Sequence, residues 1–213
     1  MRQRAVAWAK DDDAGAELVE VTLDEGALSA SGVAIGGEPV PYRLDYTLET
    51  GPGFVTTRLE VTTRGEGWRR TLDLRRGASG EWTASASTDG DPPAALDPPG
   101  AGGAGRDGSP HRLPGLDGAL DCDLGLSPLT NSMPVLRHRL LEREGSVDFL
   151  MAWVSVPDLG VQHSRQRYTA PRSLAGGNRL IHFESLDSTF TADLSFDRDG
   201  LVIDYPGIGH RLG

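Results

Sequence analysis

Apolar and polar residues alternate with a period of two along most of the chain, which predicts β-strands rather than helices. In residues 42–48 every second side chain is apolar, and the side chains between them are polar. Residues 55–62 repeat this pattern after the turn residues 51–53, so the two segments predict an antiparallel hairpin with one solvated face. The same alternation predicts further strands at residues 17–23, 27–33, 68–74, 82–87, 161–169, 180–185, 189–196 and 201–205.

Three segments depart from simple alternation. Residues 148–156 are apolar on both faces, which predicts a central strand covered on both sides. Residues 197–200, Asp-Arg-Asp-Gly, predict a tight hairpin turn because Asp-Gly tolerates positive φ. Residues 136–144 carry the one helical pattern in the sequence. We therefore predict an all-β fold of about a dozen strands.

The strand pattern is interrupted at residues 89–114, which are rich in proline and glycine and poor in apolar side chains. Such a segment buries too little apolar surface to offset the entropy lost on ordering. Since strand patterns lie on both sides of it, we predict one domain over residues 1–213 with a flexible excursion at about residues 89–114.

The net charge and the distribution of apolar residues limit the kinds of partner that the chain can bind. The chain has 213 residues and a formal net charge of −10, which opposes binding to nucleic acid or to an anionic membrane surface. No run approaches the roughly 20 apolar residues of a membrane span, and the N-terminal residues have no apolar signal-peptide core. We therefore expect a cytoplasmic protein with no integral membrane segment and no nucleic-acid partner.

Few residue patterns in the sequence point to catalysis. The single cysteine, Cys122, excludes an internal disulfide, and its flanking aspartates offer no cation that would lower its pKa. The histidines lack the spacing of metal ligands, and the sequence contains no P-loop, HExxH or GxSxG motif. We predict no catalytic residue, no metal site and no cofactor, although a Ser–His–Asp site assembled from distant strands stays open.

The predicted strand at residues 161–169 is polar on both faces. Gln166 and Tyr168 share one face, whereas Arg167 lies on the other. An inward polar face is costly unless its groups are paired or meet water or a polar ligand. This strand therefore either lies at a sheet edge or lines a partly polar cavity.

Residues 116–137 form a polar segment between predicted strands. Pro128 and Pro134 fix the backbone φ angle and oppose a continuous helix or a central strand. Between them, small polar residues such as Thr130 and Asn131 favour turns and hydrogen bonds from side chain to backbone. The segment is therefore either a plain surface crossing or a loop shaped to hold a ligand.

Three stretches carry a family resemblance: DCDLGLSPLTNSMPV (121–135), VPDLGVQHSRQRYT (156–169) and FTADLSFDRDGLVIDYPG (190–207). They resemble a bacterial family described as putative glycolipid-binding. The resemblance implies a large antiparallel β-barrel or half-barrel around a cavity, similar to lipoprotein carriers, and it favours a strand at the start of residues 136–144. The family usually has an Ile-Arg-Arg-like run after its second proline, whereas apolar residues precede Arg137 here, so one cation is missing.

From the resemblance and the polar strand we expect non-catalytic binding of a glycolipid-like or other amphiphilic molecule in a barrel cavity, for transport or in support of metabolism. The alternatives are an enzyme acting on a small amphiphilic substrate in the same cavity and a protein-interaction module that uses an exposed sheet edge. The oligomeric state stays open. Arginines would contact the head group, and aromatic rings would line the cavity. The candidate ligand-binding residues are Tyr46, Arg58, Trp68, Thr130, Asn131, Arg137, Arg167, Tyr168 and Tyr205.

Overall fold

The computed structural model of the chain describes residues 1–11, 14–96, 107–170 and 180–213. Within these ranges it confirms the all-β prediction, because fifteen strands form one sheet around a single short α-helix. The strands are β1 (Arg2–Lys10), β2 (Ala16–Asp24), β3 (Ala27–Gly36), β4 (Tyr42–Thr50), β5 (Thr56–Gly65), β6 (Trp68–Arg76), β7 (Trp82–Gly90), β8 (His111–Arg112), β9 (Asp121–Leu124), β10 (Gly145–Val154), β11 (Val161–Ala170), β12 (Leu180–Ser185), β13 (Thr191–Phe196), β14 (Val202–Tyr205) and β15 (Gly209–Arg211). The helix α1 spans Ser132–His138, and 3-10 turns lie at Pro52–Phe54, Ala94–Leu96 and Pro128–Asn131.

The sheet is built almost entirely from neighbours in sequence. Consecutive strands pair antiparallel from β1 through β8, and again from β10 through β15. β1 also pairs with β15, which joins the two series, and β9 pairs with β10 in parallel. β8 and β9 are the two ends of the sheet, which is therefore open, as in a half-barrel. The predicted hairpin between β4 and β5 and the predicted tight turn between β13 and β14 are confirmed.

The apolar side chains form two cores, one on each face of β10. Ala152 and Val154 belong to the first core, together with the inward side chains of β1 to β7. Met151 belongs to the second core, which contains apolar residues of β11 to β14 and of α1. The predicted strand covered on both sides is confirmed as β10, which ends at Val154, two residues before the predicted end. β9 and β10 therefore form a wall between the two cores.

The polar segment before β10 is more regular than its sequence predicts. It contains β9, a 3-10 turn and α1, and the strand expected from Leu136 onward is wrong because helix continues to His138. Pro134 is the third residue of α1, a first-turn position whose backbone N–H would have no intrahelical partner. The helix ends at Arg139, whose φ of 52° lies in the left-handed region.

The predicted proline- and glycine-rich excursion is anchored to the sheet at both of its ends. β7 extends to Gly90, and Leu96 is buried in the 3-10 turn that follows. β8 then returns to pair with β7. Residues 97–106, the middle of the predicted excursion, lie outside the described residues, so its flexibility and the single-domain organisation stay predictions.

Candidate binding site

Buried polar side chains meet where β9, the 3-10 turn at Pro128–Asn131 and α1 face β11. β9 contributes two carboxylates on the face that points away from the first core, because alternate residues of a strand point the same way. β11 contributes its inward polar face. We call this set the polar cluster; its members are Asp121, Asp123, Thr130, Asn131, Ser132, Arg137, Gln166 and Tyr168.

One half of the polar cluster is hydrogen-bonded throughout. The carboxylate of Asp123 accepts from Gln166 Nε2 at 2.7 Å and from Thr130 Oγ1 at 2.8 Å. Burial raises the pKa of Asp123, and these two donors oppose the rise. The Tyr168 hydroxyl donates to Asn131 Oδ1 at 2.7 Å, and Asn131 Nδ2 donates to the Pro128 carbonyl at 3.5 Å. These bonds fix the 3-10 turn against β11.

The other half of the polar cluster has unused hydrogen-bonding capacity. Arg137 Nη2 donates to Asp121 Oδ2, and the two side chains are 11% and 1% exposed. Within the part of the chain that the structure describes, four buried atoms of the polar cluster have no partner: Asp121 Oδ1, Ser132 Oγ, Arg137 Nε and Arg137 Nη1. Buried polar atoms are nearly always satisfied by protein, water or a ligand. Asp121 and Arg137 together are therefore suited to holding a polar group.

Burial also changes the acidity of Asp121. It raises the pKa of this carboxyl to about 6, although the positive charge and hydrogen bond of Arg137 oppose the rise. Asp123 adds a smaller upward contribution. Asp121 is thus largely ionised at neutral pH and faces a buried guanidinium.

A row of aromatic rings leads from the polar cluster to the surface. Neighbouring rings contact edge to face, the favourable geometry for aromatic pairs, with centroids 5.3 Å apart for Phe149 and Tyr168 and 5.4 Å apart for Tyr168 and Phe183. His138, at the end of α1, contacts Phe149. At the other end Phe190 is 37% exposed. We call this set the aromatic row: His138, Phe149, Tyr168, Phe183, Tyr205 and Phe190.

A second buried polar group surrounds Glu17. Its carboxylate accepts from the Tyr46 hydroxyl at 2.6 Å and from Ser127 Oγ at 2.7 Å, and Lys10 Nζ lies 3.4 Å away. Lys10 also donates to the Leu126 carbonyl. The cavity that these residues line measures about 10 Å³, room for about one water molecule. This group ties β1, β2 and β4 to the loop after β9.

The structure brings some of the candidate residues together. Thr130, Asn131, Arg137 and Tyr168 all lie in the polar cluster. Tyr205 lies in the aromatic row, where burial raises its pKa. These five come from four different elements and meet around α1.

The other candidates lie elsewhere. Tyr46 belongs to the Glu17 group, and Trp68 is buried in the first core. Arg58 lies on the outer face of β5, where it pairs with Asp73 and Glu60. Arg167 lies on the outer face of β11 and pairs with Asp148 at 2.6 Å.

β11 occupies an interior position, with β10 on one side and β12 on the other. Of the two placements that its polar faces allowed, the sheet edge is therefore wrong. Gln166 and Tyr168 point inward and are buried, so the face that they share is the inward one. The cost of burying them is reduced by their hydrogen bonds within the polar cluster.

Sequence reasoning missed the two carboxylates of β9. Asp121 and Asp123 drew attention only as neighbours of Cys122. Read as a short strand, the Asp-Cys-Asp run places both carboxylates on one face and the thiol on the other. Ser132 and Phe149 carried no comparable signal, because their roles depend on α1 and on pairing across strands.

The single cysteine is buried and unreactive. Burial raises the pKa of the Cys122 thiol to about 12, so it stays protonated and a poor nucleophile at neutral pH. Across residues 1–11, 14–96, 107–170 and 180–213, no group of three or more His, Cys, Asp or Glu side chains is arranged to hold a metal ion. Over the same ranges, no helix is both long and apolar enough to cross a bilayer.

Comparison with known proteins gives two matches. The model of a family described as "Putative glycolipid-binding" matches residues 5–211. A crystal structure of a DUF1089 family protein from Pseudomonas aeruginosa is similar, with a TM-score of 0.65, 28% sequence identity and coverage of 92% of each chain. No curated protein matches the sequence significantly.

Proposed function

Because the chain belongs to the family described as putative glycolipid-binding, we propose that it binds an amphiphilic molecule without transforming it. The polar head would lie at Asp121, Ser132 and Arg137, and the apolar part would follow the aromatic row toward Phe190. The observation that carries the proposal is the juxtaposition of four unsatisfied buried polar atoms with a row of rings that reaches the surface. A polar site beside a row of apolar rings matches the polar head and apolar tail of an amphiphile.

The charges of the polar cluster favour a hydroxyl-rich head over an ionic one. Asp121 and Arg137 already neutralise each other, so an added buried charge would have no counter-ion. A hydroxyl group both donates and accepts hydrogen bonds. Two neighbouring hydroxyls of a sugar could donate to Asp121 Oδ1 and accept from Arg137 Nε or Nη1. A neutral glycoside head would therefore pair with open atoms of both Asp121 and Arg137 without burying an added charge.

Access to Asp121 and Arg137 requires movement. The Asp121 side chain is buried, and Arg137, which pairs with it from α1, is only 11% exposed. α1 has only seven residues and is continuous with the 3-10 turn before it. We infer that ligand entry shifts α1 away from β11, with Phe190 as the first apolar contact.

The test is titration of the full chain with an alkyl glycoside kept below its micelle-forming concentration. Arg137→Lys keeps the charge but loses the planar donors, so we expect binding about tenfold weaker, equivalent to about 1.4 kcal/mol. Phe190→Ala, at a partly exposed position, should weaken binding by a similar factor because apolar contact is lost. Arg69→Ala is the control, since Arg69 is exposed on β6 and belongs to neither the polar cluster nor the aromatic row.

Two outcomes would contradict the proposal. One is the absence of glycoside binding by the wild-type chain and of any lipid in an organic extract of protein purified from its own host. The other is equal affinity of the wild type, Arg137→Lys and Phe190→Ala, with thermal melting showing that both variants are folded. The second outcome would place any binding site outside the polar cluster.

A further inference from the structure

Four arginines converge on the tight turn between β13 and β14. Asp199, whose side chain is 4% exposed, accepts from both Arg2 and Arg4. Asp197 accepts from Arg211 Nη1 at 2.6 Å and lies 3.6 Å from Arg4 Nη2. The two aspartates therefore orient three guanidinium groups. Two of these come from the start of β1 and one from the end of β15.

This arrangement leaves excess positive charge. The surface pocket here measures about 590 Å³ and is lined by Arg2, Arg4, Asp197, Arg198, Asp199 and Arg211, a formal charge of +4 − 2 = +2. The whole chain carries −10. A net positive pocket on an acidic protein is not a consequence of its average composition. We call these six residues the arginine pocket.

Donors remain free in the arginine pocket. Arg198 is exposed and has no ion-pair or hydrogen-bond partner among the residues that the structure describes. Arg2 is 58% exposed and uses one nitrogen on Asp199, so its other donors face solvent. Arg4 is 33% exposed. A structural ion pair for each aspartate would need two arginines, not four.

We propose that the arginine pocket binds the phosphate group of an anionic ligand. Guanidinium groups present several N–H donors in a fixed plane, which suits the oxygens of phosphate. Asp199 and Asp197 hold Arg2, Arg4 and Arg211 in place before the ligand arrives, which reduces the entropy lost on binding. The phosphate group can come from the head of a phosphorylated amphiphile or from free phosphate, and both present the same oxygens.

The arginine pocket is distinct from the polar cluster, but the glycine that follows Asp199 lies close to the helix that carries Arg137. Gly200 follows Asp199, and a Cβ added to it would lie 2.4 Å from Leu136 Cδ2. Leu136 immediately precedes Arg137 of the polar cluster. The pocket nevertheless needs no ligand in the polar cluster, and the proposal does not rest on the function proposed above.

Isothermal titration calorimetry of the full chain at neutral pH tests the pocket, with inorganic phosphate and with a short-chain alkyl phosphate below its micelle-forming concentration. We expect the wild type to bind with a dissociation constant of about 1 mM or lower. Arg198→Ala should weaken binding of both ligands about tenfold, and Arg2→Gln should weaken it by a similar factor. Arg69→Ala removes the same charge from an exposed position on β6 and should change the affinity by less than about twofold, because salt screens distant surface charges.

The two ligands separate the two sources of phosphate. Equal affinity for inorganic phosphate and alkyl phosphate supports a site for the free anion, whereas much tighter binding of alkyl phosphate supports a head-group site. Absence of binding by the wild type would overturn the proposal. So would equal weakening by Arg198→Ala and Arg69→Ala, because it would indicate general charge attraction rather than a pocket.

Discussion

The Asp-Cys-Asp run of β9 shows how strand alternation divides three adjacent side chains between two environments. Cys122 points into the first core, whereas Asp121 and Asp123 point into the polar cluster. Each buried carboxylate would be costly alone. Gln166 and Thr130 compensate Asp123 with neutral donors, and Arg137 compensates Asp121 with a charge.

The Asp121 carboxyl should make stability depend on pH. Its pKa rises from 3.8 to about 6 on folding, so the folded chain holds this proton more tightly than the unfolded chain. The resulting stabilisation is fully present below about pH 4 and is lost as the pH rises through about 6, a total of about 3 kcal/mol. Asp121→Asn removes the titration. We expect the unfolding free energy of the wild type, relative to that of the variant, to fall by up to about 3 kcal/mol across this range in urea titrations. A difference that does not vary with pH would contradict the raised pKa.

The helix α1 is one of the elements that sequence periodicity failed to predict; the others are the strands β1, β8, β9 and β15. Pro134 suggested a break, but proline is compatible with the first turn of a helix, and seven residues are too few to show a clear 3.6-residue repeat. Most of the longer strands were predictable because apolar residues recur at every second position on their inward faces. The candidate site was also predictable only in part. The polar face that carries Gln166 and Tyr168 was visible in the sequence, whereas the residues that hydrogen-bond to them were not. Asp123 and Asn131 meet β11 only after the sheet curves and α1 packs inside it.

The position of α1 should depend on its contact with the turn between β13 and β14. Gly200 has a φ of 78°, and an added Cβ would overlap Leu136. Gly67 has a φ of 75° and nothing within 4 Å of an added Cβ, so Gly67→Ala carries the same backbone strain without the overlap. We expect Gly200→Ala to lower the unfolding free energy by about 1–3 kcal/mol more than Gly67→Ala does. Equal effects in denaturant titrations would show that Leu136 moves aside freely.

At the scale of the whole molecule, β1 is the connection between the two series of strands. It pairs with β2 on one side and β15 on the other, and the indole N–H of Trp8 donates to the Val202 carbonyl at 3.0 Å. Trp8 itself is completely buried in the first core. Because β10 contributes side chains to both cores and β1 joins the two series of strands, we infer that the cores fold as one cooperative unit.

The cytoplasmic location predicted from the sequence stays a prediction.

Trp8→Phe tests this cooperativity. The variant loses the hydrogen bond to Val202 and part of the buried ring, so we expect the unfolding free energy to fall by about 2–4 kcal/mol. Unfolding followed by far-UV and by near-UV circular dichroism should still give one coincident transition. Two separate transitions would show that the series of strands on either side of β1 unfold independently.

The two end strands of the open sheet, β8 and β9, affect the tendency of the protein to aggregate. An open sheet normally presents a strand edge that can recruit further chains and start aggregation. Here the end strand β9 lies against β5, where Thr56 N donates to the Leu120 carbonyl and Thr56 Oγ1 accepts from Cys122 N, each at 3.0 Å. The opposite end, β8, is only two residues long. One end strand is thus hydrogen-bonded to another part of the sheet and the other end strand is short, and both features reduce edge-to-edge association.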